Sequence, residues 1–323
     1  MVAERRGAVA GAAPARAPRI GKLVVVGVGL IGGSFALALR AAGLVDTVVG
    51  VGRGRANLDA AQRLSIIDRQ VRIDADWAAE LADADLVLLA TPVAQYPALL
   101  AAMAGRLGPA TIVTDAGSTK QDVIAAARAT LGDAMPRFVP AHPIAGTEHS
   151  GATAAFATLF HERNVVLTPV AATDPAATAI VAALWRACGS RVRMLDAAAH
   201  DRIFAAVSHL PHLVAFGLVE AFAARPDADD IFRFAASGFR DFTRIAASSP
   251  EMWRDIALAN RDALLVEVAA FRAQLDRLAA RVAAGDGDAL AAVFARARTA
   301  RREWEATYGP TPAAIAADGP RER

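Results

Sequence analysis

Three places in this 323-residue sequence carry patterns suited to chemistry. Gly27-Val28-Gly29-Leu30-Ile31-Gly32 is a G-x-G-x-x-G run directly after the β-rich segment Leu23–Val26. In that context Gly27 permits a tight turn, Gly29 lets the backbone approach a pyrophosphate, and Gly32 allows close helix–strand packing. Leu30 and Ile31 then open a helix whose free N–H groups and positive dipole end face the phosphates. The second place is the end of the next strand, which reads Gly50-Val51-Gly52-Arg53-Gly54-Arg55. An NAD enzyme commonly has an acid there for the ribose 2′-hydroxyl. Here Arg53 and Arg55 stand instead, and the guanidinium fork suits a 2′-phosphate. NADP is therefore expected to be accepted and preferred, with NAD as the alternative. The third place is His142, followed by Pro143, which restricts the preceding residue to extended conformations. Gly146 and Gly151 bracket the loop beyond it. An imidazole titrating near neutral pH beside a nicotinamide can take the proton a hydroxyl loses as hydride leaves.

These groups need a scaffold, and the first half of the chain supplies one. Strand signals at Leu23–Val26, Thr47–Val51, Asp85–Ala90, Thr111–Thr114, Arg137–Pro140, Val165–Leu167 and Val192–Leu195 alternate with helical ones at Phe35–Ala42, Leu58–Leu64, Tyr96–Leu107 and Gln121–Leu131. Such alternation predicts a Rossmann-type, doubly wound parallel sheet in an α/β N-terminal domain. Ligands of such sheets bind outside the carboxyl ends of the strands. There the glycine loop, Thr91-Pro92, Asp115–Lys120 and His142–Gly151 should converge.

After Asp196 the strand signals stop, predicting an all-α C-terminal domain. Ala197–Ala224 is helical in composition, with Pro211 expected to kink or break it. Ser249-Pro250-Glu251 reads as an N-cap with proline at the first helical position. That helix is expected to run to Ala284, stop at Gly285, and be followed by another over Asp288–Tyr308. Leu264, Val268, Phe271, Leu275, Leu278 and Val282 form an apolar seam that suits either core packing or a second subunit. The expected organisation is a disordered tail at 1–18, a dinucleotide-binding domain at 19–196, a helical substrate and dimerisation domain at 197–310, and a tail at 311–323.

Composition limits the alternatives. With 54% apolar and 21% charged residues the chain should pack a core. No uninterrupted apolar run reaches the roughly 18 residues of a membrane span, and the Ala- and Arg-rich start has no apolar h-region, so no membrane partner is expected. The net charge of +2 comes from arginines spread among nearly as many acids, with lysine only at Lys22 and Lys120, so a nucleic-acid partner is not expected either. One cysteine, Cys188, fits a reducing cytoplasm and a small core residue. His209 and His212 lie three apart, but no third ligand stands at matching spacing, so no metal is expected.

The wording of the loops is more specific than the Rossmann pattern. Gly27–Ser34 (GVGLIGGS), Thr114–Lys120 (TDAGSTK), His142–Gly151 (HPIAGTEHSG), Ser208–His212 (SHLPH), Gly238–Ala246 (GFRDFTRIA) and Met252–Ile256 (MWRDI) together resemble the prephenate/arogenate (cyclohexadienyl) dehydrogenase family of tyrosine biosynthesis. The resemblance runs from about Arg19 to about Trp304. It implies oxidative decarboxylation of prephenate to 4-hydroxyphenylpyruvate with hydride transfer to NAD(P)+, and arogenate as a possible second substrate. It implies that His142 accepts the C4 hydroxyl's hydrogen bond and takes its proton, and that Ser118 bonds the same region and helps orient the histidine. Arg244 would hold a substrate carboxylate, Ser208 and His212 would line the pocket, and Thr147, Glu148 and Trp253 would stand at its rim. Thr91 and Pro92 would border the cofactor. It also implies a homodimer formed by the helical domain. The absence of an acid at Gly52 is the one departure from the NAD-type pattern.

Two other readings compete. A β-hydroxyacid dehydrogenase of similar layout should carry a lysine on a second-domain helix, and no lysine follows Lys120. A non-enzymatic NADP sensor would keep the glycine loop but need neither His142 nor Arg244.

Overall fold

The computed structural model describes residues 17–147 and 149–308. The expected tail 311–323, and all but the last two residues of the expected tail 1–18, lie outside them, as does Glu148. In chain order the first elements are β1 (Ile20–Val26), α1 (Leu30–Ala41), β2 (Val45–Gly52), α2 (Arg55–Arg63), β3 (Arg69–Arg72), β4 (Leu86–Leu89), α3 (Tyr96–Met103), β5 (Ile112–Asp115), α4 (Gln121–Thr130) and β6 (Phe138–Val139). The strands form one six-stranded sheet of order β3-β2-β1-β4-β5-β6, parallel throughout. The chain winds outward from β1 to β3, then resumes on β1's other side with β4. The expected doubly wound sheet is thus present, with its switch point between β1 and β4.

Side-chain alternation along β1 sends Leu23 and Val25 to one core and Val24 and Val26 to the other. Both faces are therefore covered, which is why β1 and β4 read as unbroken apolar runs. The first core centres on Trp185, packed 4.5 Å from Phe35 and 5.0 Å from Phe160 between ring centroids. β3 (RQVR) escaped the sequence reading because it is a charged edge strand with only one apolar side chain.

The strand expected over Arg137–Pro140 is present as the shorter β6, and a further strand follows directly after Pro140. β6 ends the parallel sheet, and Pro140, which has no N–H to give the ladder, turns the chain away. Its carbonyl accepts the Thr168 N–H at 2.9 Å. β7 (Ala141–Pro143) then starts a second sheet with β8 (Asn164–Leu167) and β9 (Arg191–Met194), in the order β7-β8-β9. α5 (Pro175–Ala187) joins β8 to β9. β7 and β8 are antiparallel, so the expectation of a single parallel sheet is corrected here. His142 lies within β7, not in a loop after a strand.

The helical half holds α6 (Ala197–Phe204), a wide π turn at Ala205–His209, α7 (Leu210–Ala223), α8 (Ala228–Arg233), α9 (Ser237–Thr243), α10 (Pro250–Ala259), α11 (Arg261–Ala283) and α12 (Gly287–Tyr308). Pro211 does not break the helix, which continues through α6, the π turn and α7; the π turn just before it accommodates the missing N–H. The continuous helix Ala197–Ala223 is long and apolar enough, by length and composition alone, to cross a membrane. Its polar residues are nonetheless built into the protein interior: His200, Asp201 and His209 are all at most 2% exposed. Ser249 caps α10 as expected, accepting the Met252 N–H. The long helix expected from there to Ala284 is broken at Asn260, whose backbone leaves helical geometry (φ −106°, ψ 32°). The chain divides into two compact units, one ending at Leu264 and the other beginning at Leu265.

The position of β7 is set by a buried ion pair. Asp115, the last residue of β5, and Lys120 are both fully buried, and the Lys120 ammonium donates to the Asp115 carboxylate. Asp115 Oδ1 accepts the Ala141 N–H at 2.9 Å, and Lys120 Nζ donates to the Ala141 carbonyl at 2.8 Å. One residue, Ala141, which adjoins His142, is held at both its N–H and its carbonyl. We expect Lys120→Met, which leaves Asp115 buried without its cation, to destabilise the fold by about 3–5 kcal/mol. Asp115→Asn/Lys120→Met should recover part of that loss. Urea unfolding of the three proteins checks this, and a Lys120→Met variant as stable as its parent would contradict it.

Candidate active site

The turn after β1 is shaped by what its glycines leave out. Gly27 has φ +101°, and a Cβ there would lie 2.5 Å from the Ala90 carbonyl oxygen. A Cβ on Gly32 would meet the Gly27 carbonyl oxygen at 2.3 Å, whereas one on Gly29 would have nothing within 4 Å. The turn is therefore locked against β4 while its outer side, at the N-terminus of α1, is open. That arrangement fits a dinucleotide pyrophosphate, with Leu30 and Ile31 in the first helical turn. Thr91 and Pro92 follow β4 at the same end of the sheet. Arg53 and Arg55 follow β2 and are 64% and 83% exposed on their side chains, held only loosely by Glu251 at 3.9 Å and Asp59 at 4.0 Å.

Asn57 ties this turn to the loop beyond β7. Its Nδ2 donates to the Val28 carbonyl at 2.7 Å, and its Oδ1 accepts the Ala152 N–H at 2.8 Å. Ser34 Oγ accepts the Phe156 N–H at 3.0 Å, a second tie between α1 and that segment. Thr147 is exposed on the loop, where its Oγ1 accepts the His149 N–H at 3.2 Å.

His142 is buried, with Nδ1 2.8 Å from His200 Nε2. His200 Nδ1 in turn lies 2.8 Å from Asp201 Oδ1. The Asp201 carboxylate also accepts the N–H groups of Lys120 and Gln121, both at 2.9 Å, and so caps α4 from another element. Phe204 packs on both imidazoles, with centroids 4.8 Å from His142 and 4.5 Å from His200. Burial pushes the His142 pKa well below the ordinary histidine value, and the neighbouring His200, Lys120 and His209 push it the same way. Burial raises the Asp201 carboxyl, but the hydrogen bonds from His200 and the two backbone N–H groups outweigh it and keep the acid ionised.

A second group lies alongside. His212 Nδ1 bonds the Ser208 carbonyl at 2.9 Å, and its ring stacks on Trp253 at 3.5 Å between centroids. Burial lowers the His212 pKa, the hydrogen bond to Ser208 opposes it, and the Arg244 charge lowers it further. His209 adjoins this group, its ring 6.1 Å from that of Trp253 between centroids. Asn260 fixes it: Nδ2 donates to the Asp201 carbonyl at 2.8 Å and lies 3.1 Å from His209 Nδ1. A cavity of about 210 Å³ opens beside this group, lined by His209, Leu213, Phe216, Trp253 and Arg254 among others. Among the described residues no three or more His, Cys, Asp or Glu side chains are grouped so as to hold a metal ion. Ser118 is half-buried in the β5–α4 loop, two residues before Lys120.

The chain matches the family model for the nucleotide-binding domain of prephenate dehydrogenase over residues 35–194 and the model for its dimerization domain over 196–296. It is 38% identical to the cyclohexadienyl dehydrogenase of Zymomonas mobilis over 283 residues, spanning 86% of this chain and 94% of that protein.

The chain belongs to the prephenate dehydrogenase family.

The family fold is matched by the structure of prephenate dehydrogenase from Aquifex aeolicus in complex with hydroxyphenyl propionate and NAD+ (TM-score 0.81, 33% identity, 88% of this chain and 98% of that one). It is also matched by arogenate dehydrogenase from Synechocystis (TM-score 0.72, 30% identity, 88% of this chain and 99% of that one). The prephenate dehydrogenase resemblance read from the loops thus holds along most of the chain. Sequence reading missed His200, Asp201, Asn260 and Asn57. His200-Asp201 is an unremarked pair at a helix start until folding brings it to His142, 58 positions away.

Burial is the first cause lowering the pKa of His142, His200, His209 and His212, and it brings His209 down to about 4. These groups stay neutral in the folded protein at pH values where the unfolded chain takes up protons. Their stabilisation is therefore complete above the unfolded value of about 6.5 and is lost as pH falls through the folded values. His209 alone carries on the order of 3 kcal/mol across that window. We expect the urea midpoint to fall between pH 7 and pH 4.5, and His209→Gln to make it fall less; a midpoint independent of pH would contradict neutral buried histidines.

Proposed function

We propose that the protein is a prephenate dehydrogenase that converts prephenate to 4-hydroxyphenylpyruvate and CO₂, with NADP preferred to NAD. The observation that carries the reading is His142: a neutral, buried imidazole held by a fixed hydrogen bond on its Nδ1 side, in a chain of this family. When bound in the glycine cradle, the dinucleotide supplies the hydride acceptor. His142 takes the C4 hydroxyl proton as the C4–H bond is lost, and departure of CO₂ from C1 leaves its electron pair in the ring, which aromatises. Aromatisation provides driving force, so the chain's work is orientation, carboxylate binding and one proton acceptor.

The remaining roles are those that the family resemblance implies. Gly27, Gly29, Leu30, Ile31, Gly32, Thr91 and Pro92 border the cofactor, and residues 19–196 form the dinucleotide-binding domain. Arg53 and Arg55, exposed at the end of β2 with no acid beside Gly52, favour a 2′-phosphate. Ser118 lies on the loop that carries Lys120 and assists at the hydroxyl. Arg244, whose charge acts on His212, takes a substrate carboxylate through its fork. Ser208, His212, Trp253, Thr147 and Glu148 border the substrate, and residues 197–310 form the second domain. Arogenate, with an amine in place of the side-chain ketone, is the alternative substrate. A reducing, cytoplasmic setting agrees with a single buried cysteine.

The assembly we propose is a homodimer through the helical domain. Two of the six seam residues are exposed in the single chain, Leu275 at 48% and Val282 at 67%. The match of this region to a model described as a dimerization domain points the same way.

Nicotinamide absorbance with prephenate and arogenate, each with NADP and NAD, tests the reading. The highest kcat/KM is expected with prephenate and NADP. Binding of NADP without turnover of either substrate would replace it with the sensor reading, and equal efficiency with NAD would remove the cofactor preference. His142→Asn should lower kcat by about 10²–10⁴ with little change in KM; near-normal kcat would remove His142 from the chemistry. Arg53→Ala/Arg55→Ala should raise the KM for NADP and leave that for NAD unchanged; an equal rise in both would sink the 2′-phosphate contact.

A further inference from the structure

We propose that His200 and Asp201 are positioning residues that hold His142 in the tautomer whose Nε2 is free to take the substrate's proton. This rests on the reading of His142 as the base and adds the groups that decide which of its nitrogens can act.

The argument starts at the carboxylate. Asp201 is 2% exposed, and its two oxygens receive the Lys120 and Gln121 N–H groups at the N-terminus of α4. Two N–H donors and the positive end of a ten-residue helix favour the ionised acid. An ionised carboxylate only accepts hydrogen bonds, so the His200 nitrogen 2.8 Å away must carry hydrogen. That nitrogen is Nδ1, and a neutral His200 then presents a bare Nε2 to His142. His142 Nδ1, 2.8 Å from that bare nitrogen, must be the donor. A neutral His142 that donates from Nδ1 has its lone pair on Nε2.

The reverse order places a lone pair of His200 against the carboxylate, and relief would require protonating Asp201 against its two backbone donors or charging His200, which burial disfavours. Other charged groups around the chain do not favour that reversal. Lys120 is paired with Asp115, and His209 faces Asn260. Phe204, lying against both rings, closes the apolar side and leaves neither imidazole another partner there. After proton transfer, the cation on His142 points its Nδ1–H at a neutral acceptor backed by a carboxylate.

Two measurements test this. Long-range 1H–15N spectra of the intact protein at pH 7 report which ring nitrogen bears hydrogen, with His142→Asn used to assign the His142 signals. The Nδ1–H form with bare Nε2 is expected, and an Nε2–H form would overturn the proposal in a protein whose fold is untouched. His200→Phe keeps a ring against Phe204 but removes the acceptor. It should lower kcat roughly tenfold to a hundredfold, a part of what a positioned base contributes, with the KM for prephenate within about threefold. An unchanged kcat in His200→Phe, alongside an inactive His142→Asn, would overturn the positioning role and leave the base reading standing. An active His142→Asn would instead remove the base reading itself.

Discussion

The Asp115–Lys120 pair is the constraint on which the rest of the site depends. Both side chains are fully buried, so each charge has given up its hydration, a loss of several kcal/mol per ion unless other bonds replace it. Here they do. Asp115 receives the Gly117 and Ala141 N–H groups besides the ammonium, and Lys120 gives a second bond to the Ala141 carbonyl. Such a pair adds little net stability compared with a well-packed apolar core, but it tolerates only one geometry. That geometry fixes Ala141, and His142 follows by one peptide bond. The backbone N–H of Lys120 then receives Asp201. One residue thus brings three segments together: the loop after β5, the strand β7 and the helix α6.

This explains how a residue beyond the end of the parallel sheet is held as firmly as one within it. β6 has only two residues, and Pro140 ends the ladder. Without a tie, the chain after Pro140 would be a loop with a loop's freedom. Pairing of His142 with Val166 in the second sheet supplies one side of the restraint, and the ion pair supplies the other. Asn57 extends the same rigidity to the far end of the loop, since it holds Val28 of the glycine turn and Ala152 at once. The glycine turn and the loop beyond β7 are therefore mechanically joined.

Sequence alone was most informative where chemistry is written locally. The glycine run, the buried strand at Leu86–Leu89 and the N-cap at Ser249 are each decided by a few adjacent residues, and each stands where the pattern put it. The wording of the six loops carried the family. What could not be read depends on partners distant in the chain. The second sheet is such a case: two of its strands, β8 and β9, are legible in the sequence, but that they pair with β7, and not with the parallel sheet, is not. Asn260 looks like one polar residue in a long helix; only contact with Asp201 and His209 shows why the helix breaks there. The seam on α11 had two readings from its period alone, and the period could not say whether a partner lay within the chain or beyond it.

In the role proposed for His142, burial works against basicity, and the proposed hydrogen-bonded chain resolves the conflict. Desolvation keeps His142 neutral and so ready at neutral pH, but it also weakens its hold on a proton. A lysine beside it adds to the weakening. The compensation is Asp201, two hydrogen bonds away, whose charge is masked when His142 is neutral and felt when it becomes a cation. Direct contact with a carboxylate would raise the pKa and leave the base protonated for part of the physiological range. An interposed neutral imidazole delivers orientation at full strength and charge at reduced strength. For a reaction driven forward by aromatisation, orientation is the scarcer quantity. A weak base held in one tautomer serves that reaction better than a strong base that turns.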